Sequence, residues 1–104
     1  MQKLNTVKGT KDLFGDIVNS HQKIYKIFSE ISSFFNFQLI STPILENEKI
    51  FIKTLGKSSD IISKEMYNFT DQGGDNLVLR PEGTAAVARA LISNSLQEHH
   101  NKSF

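Results

Sequence analysis

The sequence predicts an α+β fold in which an antiparallel sheet is flanked by helices. Three observations carry this. From residue 17 to residue 35, apolar side chains recur at helical spacing. Two strand-like runs, "MYNFT" and "LVLR", flank the turn-rich "DQGGDN" and read as a hairpin. The Ala-rich "TAAVARALISNSL" follows that hairpin almost at once and reads as a helix. The order helix, strand, helix, hairpin, helix sets helices against an antiparallel sheet.

Each element has a local cause. Residues 1–15 carry Gly9 and Gly15 and no sustained period, so they read as a loop or extended arm. Asp16 is the expected N-cap of the first helix. Ile17, His21, Ile24, Phe28, Ile31 and Phe35 follow in steps of 4, 3, 4, 3 and 4, and Ile27 and Phe34 widen the stripe. Lys23, Lys26, Ser29, Glu30 and Ser33 lie mostly outside it. The helix is expected to end near Asn36 and to turn its stripe toward a core. His21 has no paired carboxylate or second ligand nearby, so it reads as a residue at the core edge rather than a base.

Phe37–Ser41 reads as a short strand, and Pro43 ends regular pairing because it lacks an N–H. Glu46–Leu55 reads as a second helix closed by Gly56. "KSSDIISKE" reads as a turn or ordered loop anchored by Ile61 and Ile62. The last helix is expected from about Thr84 to Leu96, and "QEHHNKSF" is polar until Phe104.

Composition excludes several classes. A chain of 104 residues is long enough for one small domain, burying about two-thirds of the surface its unfolded form would expose. The hydrophobic fraction is 38% and the charged fraction 22%, which is globular rather than disordered. A formal net charge of +1 gives no strong field for nucleic acid or membrane. With no cysteine there is no disulfide framework and no thiolate nucleophile or metal site. The polar N-terminus has no secretory h-region. No apolar run approaches the ~20 residues of a membrane helix, so a cytoplasmic location is expected.

Most candidate motifs fail on chemistry. Gln72-Gly73-Gly74-Asp75 lacks the Lys and Ser/Thr of a phosphate cradle and reads as a turn. His99-His100 has no third ligand at a useful spacing, so no metal is expected.

"LRPEGTAAVARA", Leu79–Ala90, is different. As plain structure, Pro81 ends pairing and can begin a helix. Gly83 disfavours a helix interior by ~1 kcal/mol relative to Ala, which makes Thr84 the expected N-cap. Glu82 would gain ~0.3–1 kcal/mol from the helix dipole. The position three after Thr84 is Val87, so no capping box forms. As a site, the same residues place a carboxylate and a hydroxyl at a strand end, with Gly83 leaving the backbone open to a ligand. That set suits an ammonium group, each charge-assisted hydrogen bond contributing ~1.5–3 kcal/mol. The residues alone leave both readings open.

"VKGTKDLFGD", "STPILE", "LGKSSDIISKEMYNFTD" and "LVLRPEGTAAVARA", in this order and with these gaps, resemble the N-terminal part of the histidyl-tRNA synthetase family. The resemblance covers essentially the whole chain. It implies an incomplete class II aminoacyl-tRNA synthetase catalytic domain, with residues 1–104 holding motif 1 and the start of motif 2. The first helix, the strand after it and Pro43 match motif 1, which builds the homodimer interface in the family. Glu82 and Thr84 match the Glu and Thr that hold the α-ammonium of substrate histidine. The family reaction uses ATP and magnesium to form histidyl adenylate, then transfers histidine to the 3′ end of its tRNA.

The motif 2 arginine loop, the tyrosine-containing histidine loop, the motif 3 arginine and the anticodon-binding domain of the family would all lie beyond residue 104. The resemblance therefore implies no catalytic, cofactor-binding or metal residue here, and these residues alone are expected to be inactive. Two alternatives stand beside it. One is the synthetase-like regulatory subunit of ATP phosphoribosyltransferase, from histidine biosynthesis. It tends to depart from the synthetase at the pocket, whereas Arg80-Pro81-Glu82-Gly83-Thr84 is intact here. The other is a stand-alone dimerisation fragment whose first-helix stripe serves a partner.

Overall fold

The structure, a computed structural model, describes residues 2–55, 65–98 and 103–104. The chain divides into two units, residues 1–39 with 103–104, and residues 40–102.

The first unit is built on helix α1, Asp16–Phe34. Gly15 precedes it at φ 62°, a left-handed conformation that side chains with a Cβ rarely adopt. Gly15 is thus the N-cap, and Asp16, the expected cap, is the first helical residue, where its charge suits the positive helix end. The far end is a Schellman arrangement with Asn where Gly is usual. Asn36 has φ 61°, the Phe37 N–H donates to the Ser32 carbonyl at 3.1 Å, and the Asn36 N–H to Ser33 at 3.1 Å.

Two expectations are corrected in this unit. No residue of α1 is buried, His21 included, so the periodicity marks an apolar face but not a core. Phe37–Ser41 is not a strand among the described residues. Phe37 makes only an isolated parallel bridge with Ser103, supported by Gln38 N–H donating to the Ser103 carbonyl at 2.7 Å.

The second unit contains β1 (Leu45–Asn47), α2 (Glu48–Leu55), β2 (Asn68–Thr70), β3 (Asn76–Leu79) and α3 (Thr84–Ser93), then a 3₁₀ turn at Leu96–Glu98. The described strands form one antiparallel sheet in the order β1-β3-β2. Val78 of the central strand faces Glu46 on one side and Asn68 on the other.

The expected helix from Glu46 therefore starts later. Residues 45–47 pair with β3, and Asn47 Oδ1 accepts the Lys49 N–H at 3.0 Å, in the manner of an N-cap for α2. The hairpin forms as expected. In its turn the Asp71 carboxylate accepts the Asp75 N–H at 2.8 Å, and Gly74 supplies the required φ of 91°. α3 stops at Ser93 rather than Leu96. Both the backbone N–H and the side-chain amide of Asn94 donate to the Ala90 carbonyl, and Ser95 turns to φ 52°. Gly56, Ile61, Ile62 and His99-His100 lie outside the described residues.

The core of this unit gathers Phe51 from α2, Met66, Val78 from β3 and Ala85 from α3, with Ile50 packed against it. Ala86 and Ala90 are also buried. The alanines give α3 both high helix propensity and a flat face that lies close to its neighbours.

Candidate functional site

The joint from β3 to α3 is held at several points. The Leu79 N–H donates to the Tyr67 carbonyl and the Arg80 N–H to the Ile44 carbonyl, each at 2.9 Å. Arg80 Nη1 donates to Thr42 Oγ1 at 2.6 Å. Pro81 then breaks the ladder, and α3 begins at Thr84 with Gly83 as N-cap. Thr84 is thus one residue inside its expected place, and no side-chain bond runs from the cap residue itself.

Glu82 does the capping instead. Its Oε1 accepts the Ala85 N–H at 3.0 Å, and its Oε2 accepts the Thr84 N–H in a short bond. Two of the orphan N–H groups of the helix start are thereby satisfied. The carboxylate has about four lone-pair sites, so these two backbone bonds leave acceptor capacity on it. The Ala85 N–H is the largest influence on the acidity of Glu82; partial burial opposes it, and the Thr84 N–H and hydroxyl act with it. The net result holds the carboxyl below its ordinary value, so Glu82 is a charged acceptor at neutral pH.

The φ of Gly83 is an ordinary −99°. A Cβ placed on it meets nothing within 4 Å. The fold therefore does not require glycine here, and open space lies over the backbone between Glu82 and Thr84.

Pro43 is exposed, in the irregular segment before β1, and its two neighbours are the residues that bind Arg80. Sequence reasoning missed a further pair. Glu46 on β1 is almost fully buried, and its Oε1 accepts from Arg89 of α3, at 2.9 Å from Nη2 and 3.2 Å from Nε. Arg89 Nη1 donates to Ser93 Oγ at 3.2 Å. The one signal in the sequence is that Arg89 is the single charged residue of α3, which does not name its partner. A cleft of about 480 Å³ between α2 and the hairpin turn, lined by Lys49, Ile52, Lys53, Gly74 and Asp75 among others, contains none of the expected site residues. Among the described residues no group of three or more His, Cys, Asp or Glu could hold a metal ion, and no helix is long and apolar enough to cross a membrane.

The lowered pKa of Glu82 sets a sign for pH dependence. A depressed carboxyl stabilises the fold above its unfolded value, and that stabilisation is lost as pH falls through the folded value. Wild type should therefore melt above Glu82→Gln by a constant margin at neutral pH. The margin should close once pH drops below about 4.3, the ordinary glutamate value. Thermal melts from pH 3 to pH 7 check this, and a margin independent of pH would show that the carboxylate charge does not cap α3.

The family model for histidyl-tRNA synthetase matches residues 9–103. The histidine–tRNA ligase of Orientia tsutsugamushi (strain Boryong) is 50% identical over 95 residues, 91% of this chain and 22% of that protein. That of Wolbachia pipientis is 52% identical over 92 residues, 88% of this chain and 23% of that protein. That of Gluconobacter oxydans is 43% identical over 98 residues, 94% of this chain and 24% of that protein. The chain thus spans about a quarter of the length of the curated relatives it matches.

Among solved structures, apo histidyl-tRNA synthetase of S. aureus superposes with a TM-score of 0.76 at 33% identity, covering 91% of this chain and 22% of that one. A Bacillus halodurans protein described as an ATP phosphoribosyltransferase regulatory subunit/histidyl-tRNA synthetase gives 0.73 at 28% identity, over 94% of this chain and 24% of that one. The α+β sheet with its helices is thus part of the class II catalytic fold. With the family model matched from residue 9 to residue 103, the chain belongs to the histidyl-tRNA synthetase family.

Proposed function

We propose that residues 1–104 form the N-terminal part of a histidine–tRNA ligase catalytic domain, carrying motif 1 and the start of motif 2. In this reading the protein works in the cytoplasm as a homodimer, activates histidine with ATP and magnesium, and charges the histidine tRNA. The chain's own residues bind and orient; none moves a proton or stabilises phosphate. Glu82 and Thr84 hold the α-ammonium of histidine, and Pro43 belongs to the dimer interface.

One observation carries the reading. Glu82 is anchored by two backbone N–H groups, is kept ionised, and keeps acceptor capacity beyond those bonds and the Thr84 hydroxyl at an exposed strand-to-helix joint. Helix capping explains the anchoring; the reading adds a ligand for the acceptor capacity the carboxylate has left.

The test uses residues 1–104 fused to the remainder of the Orientia ligase. A fusion is selected for supporting growth of a host that lacks its own histidine–tRNA ligase. Glu82→Gln removes the charge from one charge-assisted hydrogen bond, about 1.5–3 kcal/mol. Histidine KM in pyrophosphate exchange should rise about 10- to 100-fold, with ATP KM little changed. An unchanged histidine KM would return Glu82 to capping duty alone.

The Bacillus halodurans likeness supports a second reading, a regulatory subunit of ATP phosphoribosyltransferase. Such a subunit would keep the fold without charging tRNA. The intact Arg80–Thr84 run and the ligase relatives at 43–52% identity favour the ligase.

A further inference from the structure

We infer that the Glu46–Arg89 ion pair is a positioning device for the ammonium site, setting where Glu82 and Thr84 stand relative to the sheet. The inference rests on the assignment of those two residues to histidine.

The argument starts from where the joint is tied. Glu82 lies between Arg80 and Arg89 along the chain, and both arginines reach back to the same short segment. Arg80 binds the Ile44 carbonyl through its N–H and Thr42 through its guanidinium. Arg89 binds Glu46 through two nitrogens. Residues 42–46 thus hold the strand end on one side of Glu82 and the helix body on the other. Thr84 is the first residue of α3, so any slide or tilt of that helix moves its hydroxyl and the N–H groups on which Glu82 rests.

The alanines of α3 are a poor means of fixing its register. Ala85, Ala86 and Ala90 present a low, smooth surface to the core, and small side chains interdigitate little. Two guanidinium nitrogens of Arg89 converging on one oxygen of a fixed carboxylate supply the directional contact that they lack. Glu46 in turn is fixed by β1, where it sits opposite Val78 of the central strand. Stability alone is a weak reason to bury a carboxylate, because a buried ion pair contributes no more than well-packed apolar residues of the same size, and often less. Geometry is the better reason.

The fusion described above tests this with a split between parameters. Glu46→Gln should raise histidine KM about tenfold, since small misplacements of a binding group have effects of that order or larger. The kcat and ATP KM should stay within about twofold. Arg89→Lys keeps the charge but loses the planar fork, and should fall between wild type and Glu46→Gln. A merely structural pair would instead lower the melting temperature and the active fraction, cutting Vmax at an unchanged histidine KM, and that result would overturn the inference. Glu82→Gln separates the two levels. If it raises histidine KM while Glu46→Gln does not, the positioning role falls and the ammonium assignment stands. If Glu82→Gln has no effect, both fall.

Discussion

Replacing Phe51 by alanine should abolish cooperative folding of the unit that carries the site. Phe51 is fully buried, as is Val78, and these are the largest such side chains among the described residues. Phe51 comes from α2 and meets Val78 of the central strand, Ala85 of α3 and Met66 of the segment before β2. One ring therefore joins the sheet to both helices that cover it. Truncating a core Phe to Ala costs about 3–5 kcal/mol in lost transfer energy and residual cavity. A core of this size rarely supplies more than about 3–5 kcal/mol in total. The partners offer little relief, because Ala85 has no side chain to swing into the hole and Val78 is held by strands on both sides. Urea unfolding followed at the Val78 methyl resonances checks the expectation. The variant should show collapsed, undispersed methyls without denaturant, whereas Phe51→Leu should keep a shifted but cooperative transition. Dispersed methyls and an unchanged midpoint in Phe51→Ala would mean that the core lies elsewhere.

The elements that sequence reasoning placed well have causes confined to a few neighbouring residues. The hairpin is encoded by its turn: Asp71 binds the Asp75 N–H and Gly74 takes a positive φ. α1 is encoded by its period and by Asn36, which accepts the left-handed conformation at its end. The misplaced elements depend on partners that are distant in the chain. "FNFQLI" has strand composition, but among the described residues its pairing is limited to the Phe37–Ser103 bridge. "LENEK" has helix composition, yet Leu45–Asn47 are drawn into the sheet by β3, more than thirty residues on. Strand pairing overrides propensity there, since β propensity depends on context more than helix propensity does. The site followed the same division. Glu82, Gly83 and Thr84 are one local joint and could be singled out from the chain, but the capping role passed from Thr84 to Glu82. Glu46 and Arg89 are 43 residues apart, and only the folded sheet brings them together.

Charging the exposed face of α1 should abolish the proposed homodimer. Ile24 is 67% exposed and Phe28 72% exposed, one turn apart, and Ile17, Ile31 and Phe35 continue the same line. A helix draws most of its stability in a protein from burying such a face. Contiguous apolar surface rimmed by polar groups is the usual mark of an interface. Lys23, Lys26 and Glu30 provide such polar flanks. The proposed homodimer supplies a self-complementary cover, since a two-fold axis sets the same patch on both copies. Each Ile or Phe side chain so buried would contribute about 1.5–3 kcal/mol, and each substitution counts twice across the axis. Ile24→Asp with Phe28→Asp should therefore weaken association by at least about a thousandfold. Sedimentation equilibrium of the 104-residue chain should show a concentration-dependent dimer that the double variant loses, whereas Lys23→Ala should leave it intact. A helical but monomeric wild-type chain at every concentration would remove the homodimer from the proposal. The ammonium site would survive that result, because Glu82, Thr84 and the pair that positions them all belong to residues 40–102, the other unit.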